Sequence, residues 1–313
     1  MVSFFVRRIL HAIPALIGAV TLLFLLLRLI PGDPAQAMLG TQATAEDLAR
    51  LRHQLGLDRP LIVQYGIYLA DFARGDWGVS LATQTPVLHR VREALPHTLS
   101  LCGAAVLVMI LISVPAGVLC AVKRDSWVDY SISVAVFLFM SMPQFWLGLL
   151  MLLFFSYYFG LFPIYGIGQA GNIFDQLHHL VLPALSLGIS FLGLSTRLTR
   201  SSMLEVLGQD YIRTARAKGL KEGRVIFKHA LRNAMLSVVT VIGLATGQLL
   251  GGAVIIEVIF ARPGLGTLIW DAILQRDYPQ VQASVAVFAF FFIMVNLFTD
   301  LVYALLNPKI KLS

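Results

Sequence analysis

Apolar residues run in long blocks along this chain of 313 residues, and polar segments of unequal length separate them. The first block, Ile9 to Ile30, is long enough to cross a hydrocarbon core of about 30 Å as a helix. Further blocks span Thr98 to Val122, Tyr130 to Phe159, Leu180 to Leu194, Met235 to Ile259 and Val281 to Leu306. This pattern predicts an all-α integral membrane protein, with six transmembrane helices in a single domain over residues 1–313. Pro14 falls in the first turns of the first helix, where a kink costs little, whereas Pro143 is placed to kink the third. Arg28 lies close enough to the far end of the first span to extend to the interface.

Two polar segments are long. Residues 31–97 carry both signs of charge and two short helical patterns. Thr44 followed by Asp47 marks a helix start, Leu48, Leu51 and Leu55 share one face, and Gly56 is placed to end the helix. A second helix is expected from Pro60 to Arg74 before Gly75, and Thr85-Pro86 opens the helix that leads through Leu95 into the second span. This insertion is too small to form an independent enzyme domain. Residues 197–232, in contrast, carry Arg197, Arg200, Arg213, Arg216, Lys218, Lys221, Arg224, Lys228 and Arg232 against only Glu205, Asp210 and Glu222.

Charge sets the expected orientation. Positive excess marks the cytoplasmic side. Arg7 and Arg8, Lys123 and Arg124, the basic 197–232 segment, and Lys309 and Lys311 all fall on one side if six spans are counted. Both termini and residues 197–232 are therefore expected to be cytoplasmic, and the charge-balanced 31–97 segment extracytoplasmic. Ala35-Gln36-Ala37 resembles a signal-peptide cleavage site, but the preceding apolar run exceeds the about 7–15 residues of a signal core, so an uncleaved first span is expected.

Composition agrees with a lipid bilayer as surroundings: 58% of residues are hydrophobic, 13% charged, and the mean hydropathy is +0.78. A soluble domain averages about 45–50% apolar and about 25% charged. The net charge of +7 sits in short blocks between spans, so topology accounts for it and no nucleic-acid partner is expected. Cys102 and Cys120 would lie roughly 27 Å apart on one helix, beyond disulfide reach, and read as apolar fillers. His178 and His179 are adjacent and point apart in most geometries, which favours an outer-loop or interfacial role over metal binding.

The chain contains no GxxxxGK[ST], HExxH or GxSxG sequence, so no catalytic role and no bound cofactor are expected of it. Uphill movement of a solute would then draw on a partner or an ion gradient. An ion-coupled secondary carrier needs ionisable groups within its spans, for which Asp300 and Glu257 are the main candidates, though for either a position facing a partner helix or water is the favoured reading. A membrane scaffold or sensor without a passage is a further alternative. Gly243, Gly247 and Gly251 recur every four residues in the fifth span, a pattern of close helix packing ahead of substrate lining. Gln248, Thr246 and Asn296 are the polar candidates for lining a passage.

The stretch DYIRTARAKGLKE sets Ala215, Ala217 and Gly219 among good helix formers, and small residues let another surface approach the backbone. A basic loop that only sets topology would also fit its composition. Asp210 to Gly219, continued by His229-Ala230-Leu231-Arg232-Asn233-Ala234, resembles the EAA-type loop of permeases in ATP-binding-cassette importers, of the branch carrying peptides, nickel and glutathione, and most closely its "B" type subunit. Pro31-Gly32-Asp33-Pro34-Ala35, Gln54-Leu55-Gly56-Leu57-Asp58-Arg59-Pro60, Arg262-Pro263-Gly264-Leu265-Gly266 and Arg276-Asp277-Tyr278-Pro279 extend the resemblance along essentially the whole chain.

The resemblance implies a bacterial inner-membrane permease subunit, paired as a heterodimer with a paralogous permease subunit. It implies two cytoplasmic ATP-binding subunits, which hold the ATP and Mg, and an extracytoplasmic substrate-binding protein. Arg213, Thr214, Ala215, Arg216, Ala217, Lys218 and Gly219 become the coupling helix that docks on an ATPase subunit, with Gly219 its defining glycine. Gly247, Gln248, Gly251 and Asn296 become candidates for the pathway or for helix packing. Arg213 stands where the wider pattern has glutamate, and Arg232 where it often has proline.

Overall fold

The structure, a computed structural model, describes residues 2–29, 35–36, 43–54 and 56–306. Its elements are helical: α1 (Val2–Leu29), α2 (Ala45–Gln54), α3 (Leu61–Arg74), α4 (Val87–Val122), α5 (Trp127–Ser141), α6 (Gln144–Tyr158, π-helical from Leu152), α7 (Ile173–Ile189), α8 (Leu192–Leu207), α9 (Asp210–Ala217), α10 (Glu222–Ile259, π-helical over Val225–Ala230), α11 (Leu265–Leu274) and α12 (Tyr278–Leu306). The only β-pairing among the described residues is a single bridge between Val79 and Pro86.

Helices α4 and α10 and the Tyr278–Thr299 part of α12 are each long and apolar enough to cross a membrane. The pairs α5–α6 and α7–α8 satisfy the same test jointly, giving five candidate spans among the described residues if each pair is one span. Their breaks are sharper than the kink expected at Pro143. α5 and α6 meet at 103°, and α7 and α8 at 61°. Proline disfavours the helical conformation in the residue before it, and Met142 is accordingly extended at φ −83° and ψ 132°. The chain therefore stops at Ser141 and restarts with Pro143 as the N-cap of α6.

Local signals set the short helices. The Thr44 hydroxyl accepts from the Asp47 amide at 3.2 Å and donates to its carboxylate at 2.6 Å, capping α2. α3 starts after Pro60 and ends at Gly75, whose φ of +79° costs a glycine little. Leu55 and Pro31 to Pro34 lie outside the described residues, as do Lys309 and Lys311.

The chain divides into two compact units, with boundaries inside α4 and α12. One unit holds residues 98–262 and the chain from Met294. Its core has one cluster around Met109, Val238, Ile242 and Ala245 and another around Val118, Met203, Ile212, Val225 and Ala230. α4 and α8 approach closely at Gly117, where an added Cβ would lie 2.7 Å from the Thr196 carbonyl oxygen. The second unit holds residues 2–97 and 263–293. An aromatic series runs through it from Phe24 to Tyr68, Phe72 and Trp77, with Phe24 and Tyr68 stacked at 5.6 Å and Phe72 and Trp77 at 5.3 Å. Ser80 donates to Asp277 at 2.5 Å, joining the turn before α4 to the start of α12.

Candidate functional site

The polar 197–232 segment folds into the end of α8, the short helix α9 and the start of α10. Ile212 and Ala215, three residues apart, are buried in the cluster formed by Val118, Met203, Val225 and Ala230. One face of α9 is thereby pinned to its own unit, and Asp210, Arg213, Thr214 and Ala217 fall on the opposite, exposed face. Of the two alanines in this stretch, Ala217 is presented outward and Ala215 is a pin.

The end of α9 is built for an abrupt stop. Leu220 N–H donates to the Ala215 carbonyl at 3.4 Å and Gly219 N–H to the Arg216 carbonyl at 2.9 Å, the pair of bonds that closes a Schellman motif. Gly219 takes φ +75°, which side chains with a Cβ rarely adopt, and Leu220 packs on the same cluster as Ala215. Beyond its own chain neighbours, no atom of the described residues lies within 4 Å of the position a Cβ would take at Gly219. The demand for glycine is thus set by the backbone, and the space in front of it is open.

Polar contacts fix α9 further. Arg216 forks onto Glu222, with Nη2 to Oε1 at 2.6 Å and Nε to both oxygens at 3.2 Å, and this pairing raises the Arg216 guanidinium above its ordinary value. Asn233 donates to the Tyr211 hydroxyl at 2.7 Å, tying α9 to α10. Arg213 reaches Asp210 at 3.5 Å, but both side chains are exposed and the pair adds little stability. Arg213, Thr214, Lys218 and Arg232 are all exposed and so accessible to a second surface.

Next to α9 in sequence, α8 carries Arg200, which holds Asp129 at the start of α5 in a two-bonded ion pair. The sequence contains no signal for this contact, because its partners lie 71 residues apart. α5 and α8 together wall a groove of about 880 Å³, lined by Phe137, Leu138, Met140, Leu194 and Leu198, with Arg197 and Arg200 at its polar end. The Thr196 hydroxyl also borders it, buried and without a hydrogen-bond partner among the described residues.

The small residues of α10 divide into two classes. An added Cβ at Gly247 would lie 3.0 Å from the Asn296 Oδ1, and at Gly252 2.6 Å from the Gln144 Oε1, so these positions are close helix contacts. Gly243 is similarly closed by Thr299. Gly251 has nothing within 4 Å, and it shares with Leu244, Gln248 and Ile255 an exposed stripe at helical spacing. Thr246 donates to the Ile242 carbonyl of its own helix. Gln248 and Asn296 are thus not brought to one surface: the first is exposed and the second packs against Gly247.

Glu257, His178 and His179 have local partners. Glu257 is fully buried and accepts from Thr98 Oγ1 at 2.6 Å. The Asp300 side chain lies outside what the structure describes. His178 contacts the Leu161 carbonyl and His179 the Asp175 carbonyl, each at 2.8 Å. No group of three His, Cys, Asp or Glu side chains suited to a metal ion occurs among the described residues.

Comparison with known proteins adds a separate line of observation. Residues 113–312 match the family described as "Binding-protein-dependent transport system inner membrane component", and residues 1–102 match the corresponding N-terminal family. The chain is 42% identical over 332 residues to the dipeptide transport system permease protein DppB of Alkalihalophilus pseudofirmus, covering 99% of this chain and 100% of the relative. It is 41% identical over 315 residues to the oligopeptide transport system permease protein AppB of Bacillus subtilis, with 99% and 100% covered. It is 40% identical over 311 residues to the glutathione transport system permease protein GsiC of Salmonella choleraesuis, with 99% of both covered. Among solved structures, a chain of the methionine ABC transporter MetNI in an inward-facing conformation superposes with a TM-score of 0.60 at 18% identity, over 71% of this chain and 98% of that one. That likeness concerns the fold alone.

Proposed function

The chain belongs to the family of inner membrane components of binding-protein-dependent transport systems, and from that premise we propose that it is a permease subunit of an ATP-driven importer for peptides or a related small solute. α9 is the element through which cytoplasmic ATPase subunits drive it. The observation that carries this reading is the two-sided character of α9. Ile212 and Ala215 bury one face in the chain's own core, while Arg213, Thr214 and Ala217 present the other, ahead of a glycine-specified stop with open space before it.

In this reading the chain crosses the membrane six times with both termini inside, residues 31–97 are extracytoplasmic, and residues 197–232 form the coupling loop. A paralogous permease supplies the other half of the passage, and an extracytoplasmic binding protein delivers the solute. ATP and Mg are held by the ATPase subunits, and this chain performs no chemistry on the solute. Closure of the ATPase pair displaces α9 as a body, because its pins to Met203 and Val225 leave it no independent motion. The displacement reaches α5 through the Asp129–Arg200 pair and so changes the groove between α5 and α8. The buried, unpartnered Thr196 hydroxyl gives that groove a polar contact suited to a peptide backbone.

The test is uptake in vesicles holding the complete complex. Transport should cease on ATP depletion with ion gradients intact and survive collapse of the gradients with ATP present. The reverse pattern would identify an ion-driven carrier instead.

A further inference from the structure

The unit holding residues 2–97 and 263–293 contains a cavity of about 260 Å³ that takes no part in coupling. Arg28 of α1, Tyr68, Asp71 and Phe72 of α3, and Asp76 and Trp77 of the following turn line it. Pro279 and Gln282 of α12 complete the wall.

Its polar groups are opposed in sign and held in place. The Arg28 guanidinium lies 3.8 Å from the centre of the Phe24 ring, and its Nε and Nη2 both donate to the Gln64 Oε1, at 3.2 and 3.0 Å. These contacts fix the plane of the guanidinium without a carboxylate partner among the described residues, leaving a charged edge to offer. Gln64 is itself oriented by donating to the Leu57 and Arg59 carbonyls. Asp76 accepts from the Gly78 amide through Oδ1 alone. Asp71 touches Arg74 at 3.9 Å, beyond hydrogen-bond distance, so its carboxylate remains open. The Tyr68 hydroxyl is buried and lacks a partner among the described residues. Leaving a buried hydroxyl unsatisfied is unfavourable, and a polar occupant would satisfy it.

We propose that this cavity is a binding site for a small zwitterion bearing a free ammonium and a free carboxylate, of the size of an amino acid or a dipeptide. Arg28 receives the carboxylate, Asp71 and Asp76 receive the ammonium, and the Tyr68 hydroxyl bonds the backbone between them. The faces of Phe72 and Trp77 cover the apolar part and favour the cation. A volume below the about 300–1,000 Å³ of drug-sized pockets limits the length of the occupant. The site is separate from α9, so its occupancy stands or falls independently of ATP coupling.

Isothermal titration of the full chain in lipid nanodiscs with alanyl-alanine, N-acetyl-alanyl-alanine and alanyl-alanine amide tests this directly. Saturable binding of alanyl-alanine is expected, with each capped form at least tenfold weaker. Arg28→Gln should remove the discrimination against the amide and Asp71→Asn that against the acetylated form, while Tyr68→Phe, nearly unchanged in shape, should weaken all binding. Equal binding of the three probes, no binding at millimolar concentration, or unchanged binding in the Arg28→Gln/Asp71→Asn double variant with native unfolding temperature would overturn the assignment. Because no ATPase is present, failure here leaves the coupling reading standing, and failure of ATP-driven uptake leaves this site standing.

Discussion

Arg200 holds Asp129 through two hydrogen bonds at once, Nε to Oδ1 at 2.9 Å and Nη2 to Oδ2 at 2.6 Å. The Asp129 side chain is 4% exposed and that of Arg200 31%, so the carboxylate depends on the pair more than the guanidinium does. Asp129 also accepts from the Asp125 amide at 3.1 Å, which fixes the α4–α5 turn to the same point. The first turn of α5 is thereby joined to α8 at Arg200, ten residues before Asp210 opens the exposed face of α9.

Removing that joint should cost both stability and coupling. Breaking a buried ion pair costs about 3–5 kcal/mol, and the partial exposure of Arg200 places Asp129→Ala near the lower end. Chemical unfolding of the purified chain should show a loss of about 3 kcal/mol. A double-mutant cycle with Arg200→Gln should return most of that loss as coupling energy. Additive losses would mean that the two residues act separately.

The two faces of α9 should separate stability from function. Ile212→Ala leaves a cavity in a closed cluster and is expected to destabilise by about 2–4 kcal/mol. Arg213→Ala and Thr214→Ala, on the exposed face, should stay within about 0.5 kcal/mol of the parent. The same two exposed substitutions should nevertheless lower ATPase stimulation in the assembled complex. Unchanged stimulation in the Arg213→Ala/Thr214→Ala double variant would remove α9 from the coupling path.

Gly219 gives a sharper separation, because its φ of +75° and the open space before it make different demands. Asparagine tolerates the left-handed conformation and should retain most transport, whereas valine is strained there and tryptophan fills the open space. The expected order of ATP-driven uptake is glycine, asparagine, then valine and tryptophan, with ATP hydrolysis persisting in the last two. Normal uptake by Gly219→Trp would show that nothing docks at this end of α9.

How much of this was legible in the chain alone depended on how far apart the interacting residues lie. The caps at Thr44 and Gly75 follow from residues within one helical turn, and the sequence places both within a few positions, whereas the block Leu180 to Leu194, expected as one span, straddles the 61° break between α7 and α8. Pro143 predicts a kink, yet the break at Met142 reaches 103°, because the extended Met142 redirects the chain before α6 begins. The inward orientation of Ala215 and the Asp129–Arg200 pair were hidden for a different reason. Both depend on packing between helices far apart in sequence, and neither a basic run nor a small residue reports what lies across from it.

The glycines of α10 allow packing within the chain to be told apart from pairing between chains. At Gly247 the nearest atom to an added Cβ is the Asn296 Oδ1 at 3.0 Å, so Gly247→Leu must push the Asn296 side chain out of its place between α10 and α12, an overpacking cost of about 1–3 kcal/mol. At Gly251 nothing stands within 4 Å, and the position shares the exposed stripe with Leu244, Gln248 and Ile255. Small residues on an otherwise unpartnered membrane helix face permit close approach by another helix. Gly251→Leu should therefore leave the unfolding free energy of the isolated chain within about 0.5 kcal/mol of the parent, as an unhindered substitution does. It should reduce recovery of the second permease when the complex is purified through this chain. Gly247→Leu should show the opposite order, losing stability first and partner recovery only in proportion. If Gly251→Leu retained full partner recovery, the stripe would face lipid, and pairing would have to use another surface of the chain.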